Sequence, residues 1–181
     1  MLFQSTEIHD AREIILPRHK DERGSFGRIF DRDMFMDHGI TCEFIQFSIS
    51  RTKHAGTLRG MHYQKAPYAE DKLVYCIRGA IHDVICDLRP ESPTYMKCQG
   101  FHLSDQNNRM IYIPAGCAHG FQTMEDNAEV LYAMSNIYSE NHAYGIRFDD
   151  PILGITWARP VSCISAKDLD WPPYAPASLV D

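Results

Sequence analysis

No run in this chain approaches the roughly 18 consecutive apolar residues of a membrane-crossing helix. The N-terminus lacks the basic segment and apolar stretch of a secretory signal, so a cytoplasmic location is expected. No cluster of lysines or arginines stands anywhere along the chain, and the formal net charge is −6. Nucleic acids are held by a basic footprint, so they are not expected as partners. No CxxC pair occurs among the 6 cysteines, which stand at positions 42, 76, 86, 98, 117 and 163 with wide, irregular spacings. That pattern gives neither a zinc site nor a disulfide framework, and the thiols are read as reduced and structural. Cys76 and Cys86 lie in apolar runs, where a thiol packs as a small hydrophobe. No repeat, low-complexity tract or linker divides the chain, and its 181 residues are read as one domain over 1–181.

What the chain does have is a succession of short apolar segments at roughly 8–12-residue spacing, separated by turn residues. Strands are expected at 13–16, 44–50, 57–64, 72–78, 80–88, 95–103, 110–113, 120–123 and 128–136, with Arg28–Phe30 as a strand edge. Gly79 between two of them reads as a hairpin. A helical turn or two is expected over Asp31–Gly39, and a short helix over Ala166–Leu169 with Ser165 as N-cap. The tail from about Asn141 is loop-rich. The fold class is therefore all-β, a sandwich or barrel with a few short helices.

The segment Thr57–Gln64 carries polar groups among residues suited to a packed strand. His62 and Gln64 share one face of it. Burying them costs free energy unless they have partners or line a wet cavity. Lys72 opens a strand, His119 follows the turn Pro114-x-Gly116, and Tyr132 lies within a strand. In a small barrel these would converge on an interior able to hold one ligand. A histidine and a tyrosine on opposite sides of that ligand form a base and acid pair, and nearby Lys72 and Arg59 would stabilise an enolate or a phosphate. A carboxylate would fix the His62 tautomer. Asp168, Asp83, Asp87, Asp149 and Asp150 are all candidates by spacing.

Gly56-x5-His62 and Pro114-x-Gly116-x-x-His119 resemble the two motifs of the cupin superfamily. Metal-binding cupins place a second histidine where Gln64 stands and a glutamate where Lys72 stands. A protonated lysine repels a divalent cation, so the expectation is a barrel without a metal or other cofactor.

The ordered set as a whole resembles the dTDP-4-dehydrorhamnose 3,5-epimerase family of nucleotide-sugar epimerases. The matching pieces are Asp-Glu-Arg-Gly-x-Phe at 21–26, Leu-Arg-Gly-Met-His-Tyr-Gln at 58–64, Lys-Leu-Val at 72–74 and Asp-Val-x-x-Asp-Leu-Arg at 83–89. They continue with Ile-Pro-x-Gly-x-Ala-His-Gly-Phe at 113–121, Ala-Glu-x-Leu-Tyr at 128–132, Gly-Ile-Arg-Phe-Asp-Asp-Pro at 145–151 and Ser-x-Lys-Asp at 165–168. The resemblance implies a cupin-like jelly roll, a homodimer with exchanged N-terminal strands, and a nucleoside-diphosphate 4-keto-6-deoxyhexose as substrate. It makes His62 the base held by Asp168, Lys72 the enolate stabiliser and Tyr132 the proton donor from the opposite face. Arg59 and His119 would contact sugar or diphosphate. Arg23, Phe26 and Gln46 would hold the nucleotide, Tyr138 would stack on its base, and Lys167 matches a binding position.

Three positions depart from the family pattern: Arg28, Phe47 and Ala143, all on the side the resemblance assigns to the nucleotide. A dTDP-linked sugar is favoured, with CDP- and GDP-linked sugars as alternatives. A catalytically silent binding module and a metal-dependent cupin enzyme are the competing classes. The first would bind ligand without exchanging its protons, and the second would carry stoichiometric metal.

Overall fold

The computed structural model describes residues 1–176; residues 177–181, the end of the expected domain span, lie outside the described residues. The chain runs β1 (Leu2–Ser5), β2 (Arg12–Ile15), β3 (His19–Asp21), β4 (Gly24–Phe26), α1 (Arg32–Asp37), β5 (Gln46–Thr52), β6 (Leu58–Gln64) and β7 (Lys72–Arg78). It continues through β8 (Ala80–Asp87), β9 (Cys98–Ser104), β10 (Arg109–Ile113), β11 (Cys117–Thr123), β12 (Ala128–Met134), β13 (Ala143–Gly145) and α2 (Ala166–Leu169). Two antiparallel sheets carry the fold. One has the order β1-β2-β10-β7-β12-β5 and the other β13-β6-β11-β8-β9. This is the expected all-β, cupin-like jelly roll. Among the described residues a separate hairpin, β3–β4, pairs only with itself.

The sheets face each other across Val74, Cys76, Ile81, Ile85, Leu103, Ile111, Phe121 and Val130, all buried. Each such side chain stabilises the fold by about 1.5–3 kcal/mol through removal from water. The filling is uneven along the strands. On β7 the inward side passes from core residues Cys76 and Val74 to Lys72, and on β12 from Val130 to Tyr132. Lys72 and Tyr132 line a cavity beyond the apolar core.

Several local expectations are corrected. Gly79 does not close a hairpin: β7 is flanked by β10 and β12, and β8 by β9 and β11, so the turn passes from one sheet to the other. Arg28–Phe30 is not a strand edge. Phe30 is held by ring packing on Phe35 and Phe44, with centroids 4.8 and 5.8 Å away, so no ladder fixes the segment. The strand expected from Tyr95 begins only at Cys98, because Tyr95 and Lys97 donate their N–H groups to Ser92 and Thr94 in tight turns. Strand β13 was hidden in the loop-rich tail.

The expectation of uniformly reduced thiols is also corrected. Cys86 and Cys98 are bonded as a disulfide. They are direct partners in the β8–β9 register, with Cα atoms 4.1 Å apart. A separation of 12 residues in sequence concealed a contact that strand pairing creates. Cys42, Cys76, Cys117 and Cys163 are free thiols. Cys117 opens β11 and is buried.

Candidate active site

A cavity of about 620 Å³ opens between the sheets, with a smaller one of about 170 Å³ beside it. The five-stranded sheet supplies His62 and His119, which are register partners on β6 and β11 and so stand side by side on one face. The six-stranded sheet supplies Lys72 and Tyr132 from β7 and β12. Lys72 pairs with Met134, two residues along from Tyr132, so all three share the inward face. Gln46 pairs with Met134 from the other side and lines the smaller cavity. Polar residues of β5 turn inward while Phe47 and Ile49 turn out, at 61% and 46% exposed.

His62 is bonded to Asp168, with Nε2 and Oδ1 2.6 Å apart. The two residues are far apart in sequence, and α2 brings them together. Ser165 caps α2, its Oγ accepting from the Asp168 N–H at 3.1 Å. The Gly60 N–H points at Asp168 Oδ2 from 3.4 Å. Gly60 has φ +130, and a Cβ there would stand 2.5 Å from the Gly120 Cα, so glycine at both places lets β6 and β11 approach beside the dyad. Burial alone would raise the Asp168 carboxyl. The hydrogen bond and charge of His62, with Gly60 and Ser165, outweigh it and hold the group below its ordinary value. An ionised carboxylate only accepts, so His62 Nε2 carries the proton and donates it to Asp168. In the neutral ring this leaves the lone pair on Nδ1. Asp168 is 6% exposed in its side chain and His62 44%, which puts the carboxylate underneath and the ring at the cavity wall.

Tyr132 stands across the cavity. Burial, then the charge of Asp83, pushes its phenol well above the ordinary range, and Arg59 offsets only part of this. It is therefore a protonated donor near neutral pH. His119 is buried and bonded through Nε2 to Asp83 Oδ2 at 2.7 Å, a second histidine–carboxylate pair. Arg59 lines both cavities, its Nε donating to Thr52 Oγ1 at 3.1 Å. Tyr138, 60% exposed, stands at the mouth and takes the Gln46 Oε1 on its backbone N–H at 3.2 Å. Lys167, on α2, lines the mouth beside Trp171, with Nζ 5.7 Å from its ring centre.

Two of the expected site residues are not brought to this cavity by their own chain. Arg23 and Phe26 sit on the exposed β3–β4 hairpin; the Arg23 side chain is 84% exposed and Phe26 72%. Of the three departures from the family pattern, Ala143 lines the cavity. Phe47 faces outward, and Arg28 is exposed and pairs with Asp31 at 2.6 Å, so neither forms this wall. Residues that sequence reasoning did not single out also line it: Glu70, Tyr63, Tyr144 and Trp171. Glu70 sits in a polar loop that reads as solvated, and nothing in its spacing marks it. Among the described residues no group of three or more His, Cys, Asp or Glu side chains is arranged to hold a metal ion.

The family model described as dTDP-4-dehydrorhamnose 3,5-epimerase matches residues 5–175. The dTDP-4-dehydrorhamnose 3,5-epimerase of Sinorhizobium fredii is 37% identical over 173 residues, covering 95% of this chain and 89% of that protein. The crystal structure of the enzyme of that name from Bacillus anthracis, with TDP and pyrophosphate bound, superposes with a TM-score of 0.93 at 36% identity, covering 96% of this chain and 99% of that one. A Legionella pneumophila epimerase in complex with dTDP-4-keto-L-rhamnose superposes with a TM-score of 0.91 at 33% identity, covering 99% of this chain and 94% of that one. The match runs the length of the sandwich and through the α2 segment that carries Asp168, and this chain belongs to the dTDP-4-dehydrorhamnose 3,5-epimerase family.

Proposed function

We infer that this chain is an isomerase that inverts C3 and C5 of a dTDP-linked 4-keto-6-deoxyhexose. The observation that carries the reading is the placement of a histidine–carboxylate dyad and a protonated phenol on opposing sheets across one cavity. The C4 ketone acidifies the hydrogens on both flanking carbons. His62 Nδ1 takes the proton from one carbon, and the C–H electrons move into the ring to form an enolate. The Lys72 ammonium faces the oxygen that gains charge. Tyr132 then gives its hydroxyl proton to the same carbon from the other face, which inverts the centre. Protons alone move, so each step balances without an oxidant or reductant. A cavity of about 620 Å³ matches a ligand of this size.

Arg59 and His119 are read as contacts to sugar or diphosphate, Gln46 and Lys167 as nucleotide-side contacts, and Tyr138 as the stacking partner of the base. The Bacillus structure with TDP bound and the Legionella structure with dTDP-4-keto-L-rhamnose bound favour thymine as that base. No metal is assigned, because Lys72 and the fully engaged amide of Gln64 stand where metal ligands would be needed. The working form is read as a homodimer in which the N-terminal β3–β4 hairpin is exchanged, bringing Arg23 and Phe26 to the partner's cavity. A cytoplasmic location completes the reading; among the described residues no helix is long and apolar enough to cross a membrane.

The test is incubation of the pure protein with dTDP-, CDP- and GDP-linked 4-keto-6-deoxyhexoses in heavy water. Deuterium at C3 and C5 of the dTDP sugar, with inverted product, is expected. Absence of incorporation with every nucleotide would sink the reading, and incorporation at one carbon would restrict it to a single-centre epimerase.

A further inference from the structure

The cavity wall holds a charge that the proton transfers do not use. Glu70 Oε1 lies 3.2 Å from Lys72 Nζ, and both side chains are largely buried, at 10% and 12% exposed. Its other oxygen, Oε2, accepts from Gln64 Nε2 at 3.0 Å. Gln64 is itself buried and immobilised: its two amide hydrogens are shared among Glu70 and the Tyr68 and Ile137 carbonyls, the latter 2.9 and 3.1 Å from Nε2, and its Oε1 accepts the Ser139 N–H at 2.7 Å. A fixed line therefore runs from Gln64, on the strand of the base, through Glu70 to Lys72.

We propose that Glu70 is a positioning residue for the reaction, holding the Lys72 ammonium where the ketone oxygen gains negative charge. The inference rests on the function proposed above and deepens it. A lysine side chain is long and freely rotating, so an ammonium meant to meet developing charge needs an anchor. Among the described residues Glu70 is its one ion-pair partner. An ammonium has three donors, so one bond to Glu70 leaves others for the substrate oxygen. Stability alone is a poor reason for the pair, since buried ion pairs are often replaceable by apolar side chains without loss. Both residues border both cavities, which places the pair at the ligand and not in the core.

The test uses the full chain and the dTDP-linked 4-keto-6-deoxyhexose, reading kcat and KM from deuterium incorporation. Glu70→Gln keeps an acceptor for Gln64 but removes the charge. It is expected to lower kcat by about ten- to a hundredfold, the scale of a misplaced reacting group, with KM within about twofold. Glu70→Asp restores the charge on a shorter arm and is expected to recover much of that loss, and it serves as the charge test if Glu70→Gln fails to fold. Native kcat in Glu70→Gln, a change confined to KM, or an aspartate variant that folds but is as slow as the glutamine variant or slower than it, would overturn the assignment. Absence of exchange in the native protein would instead remove the proposed function, so the two failures are distinct.

Discussion

His62 can act as a base only in the tautomer that leaves Nδ1 bare, and Asp168 sets that tautomer by accepting from Nε2 at 2.6 Å. Replacing Asp168 with Asn substitutes an amide that can donate, which favours the opposite tautomer with little change in shape. The expected result is a fall in kcat of about 10²–10⁴-fold with KM nearly unchanged. Steady-state kinetics on the folded variant decides it, and a native kcat would remove the dyad from the mechanism. Tyr132→Phe separates the two faces of the sugar. With the phenol gone, His62 still exchanges its own proton with solvent, so deuterium should enter without inversion. If inverted product forms at the native rate, the donor is another group. At this scale the sequence was informative about residue type and poor about partnership. His62, Lys72 and Tyr132 stood out as polar groups in apolar strands. By spacing alone Asp168 could not be picked from five aspartates, and only the family resemblance implied it; the contact itself is made by a chain turn far downstream that folds against β6. The Asp83–His119 pair, also non-local, was not foreseen.

The turn after β8 shows how one buried charge organises an element. Asp87 is fully buried and accepts from Arg89 Nε and Nη2 at 2.9 and 2.8 Å, Ser92 Oγ at 2.6 Å and Thr94 Oγ1 at 2.7 Å. Arg89 Nη2 also reaches the His9 carbonyl at 2.6 Å, tying the turn to the N-terminal segment. Burial raises the Asp87 carboxyl, but Arg89, Ser92 and Thr94 together hold it far below the ordinary value of 3.8. A carboxylate depressed in the folded state stabilises the protein above its unfolded-state pKa. That contribution is lost as pH falls through the lower folded-state value. Urea midpoints should therefore drop as pH is lowered from about 5 towards 2. Asp87→Asn should cost about 1.5–3 kcal/mol near neutral pH, because Arg89 loses its buried carboxylate and keeps Asp10 and the His9 carbonyl, and should flatten that acid dependence. A variant with the native midpoint and native acid slope would show that Asp87 is not the group responsible. Elements themselves were legible where periodicity was long, as in β6 and β12. Boundaries and pairings failed where the deciding contact was non-local: Gly79 looked like a hairpin because the competing strands β10, β12, β9 and β11 lie elsewhere in the sequence.

At the scale of the whole molecule, one chain leaves two features unaccounted for. Ile45, just before β5, and Phe47 and Ile49 on it are exposed at 54, 61 and 46%, a row of apolar side chains of the kind that marks an interaction surface. The β3–β4 hairpin projects Arg23 and Phe26 away from its own chain's cavity. The proposed symmetric dimer, in which each hairpin completes the other copy's site, would account for both. This arrangement has a test that a simple loss of activity cannot imitate. His62→Ala removes the base but leaves the hairpin intact. Arg23→Ala with Phe26→Ala removes the hairpin contacts but leaves the dyad intact, and is expected to lower kcat/KM at least tenfold. Each variant alone should be nearly inactive as a homodimer. Coexpressed, they form mixed dimers in which the site with intact His62 receives the intact hairpin of its partner, so random pairing of the two chains should restore about a quarter of native activity. A hairpin that served its own chain would give no native site in any pairing. Recovery of activity on coexpression, with sedimentation at the dimer mass, is the expected outcome; a mixture as inactive as its parts would assign Arg23 and Phe26 to some other role.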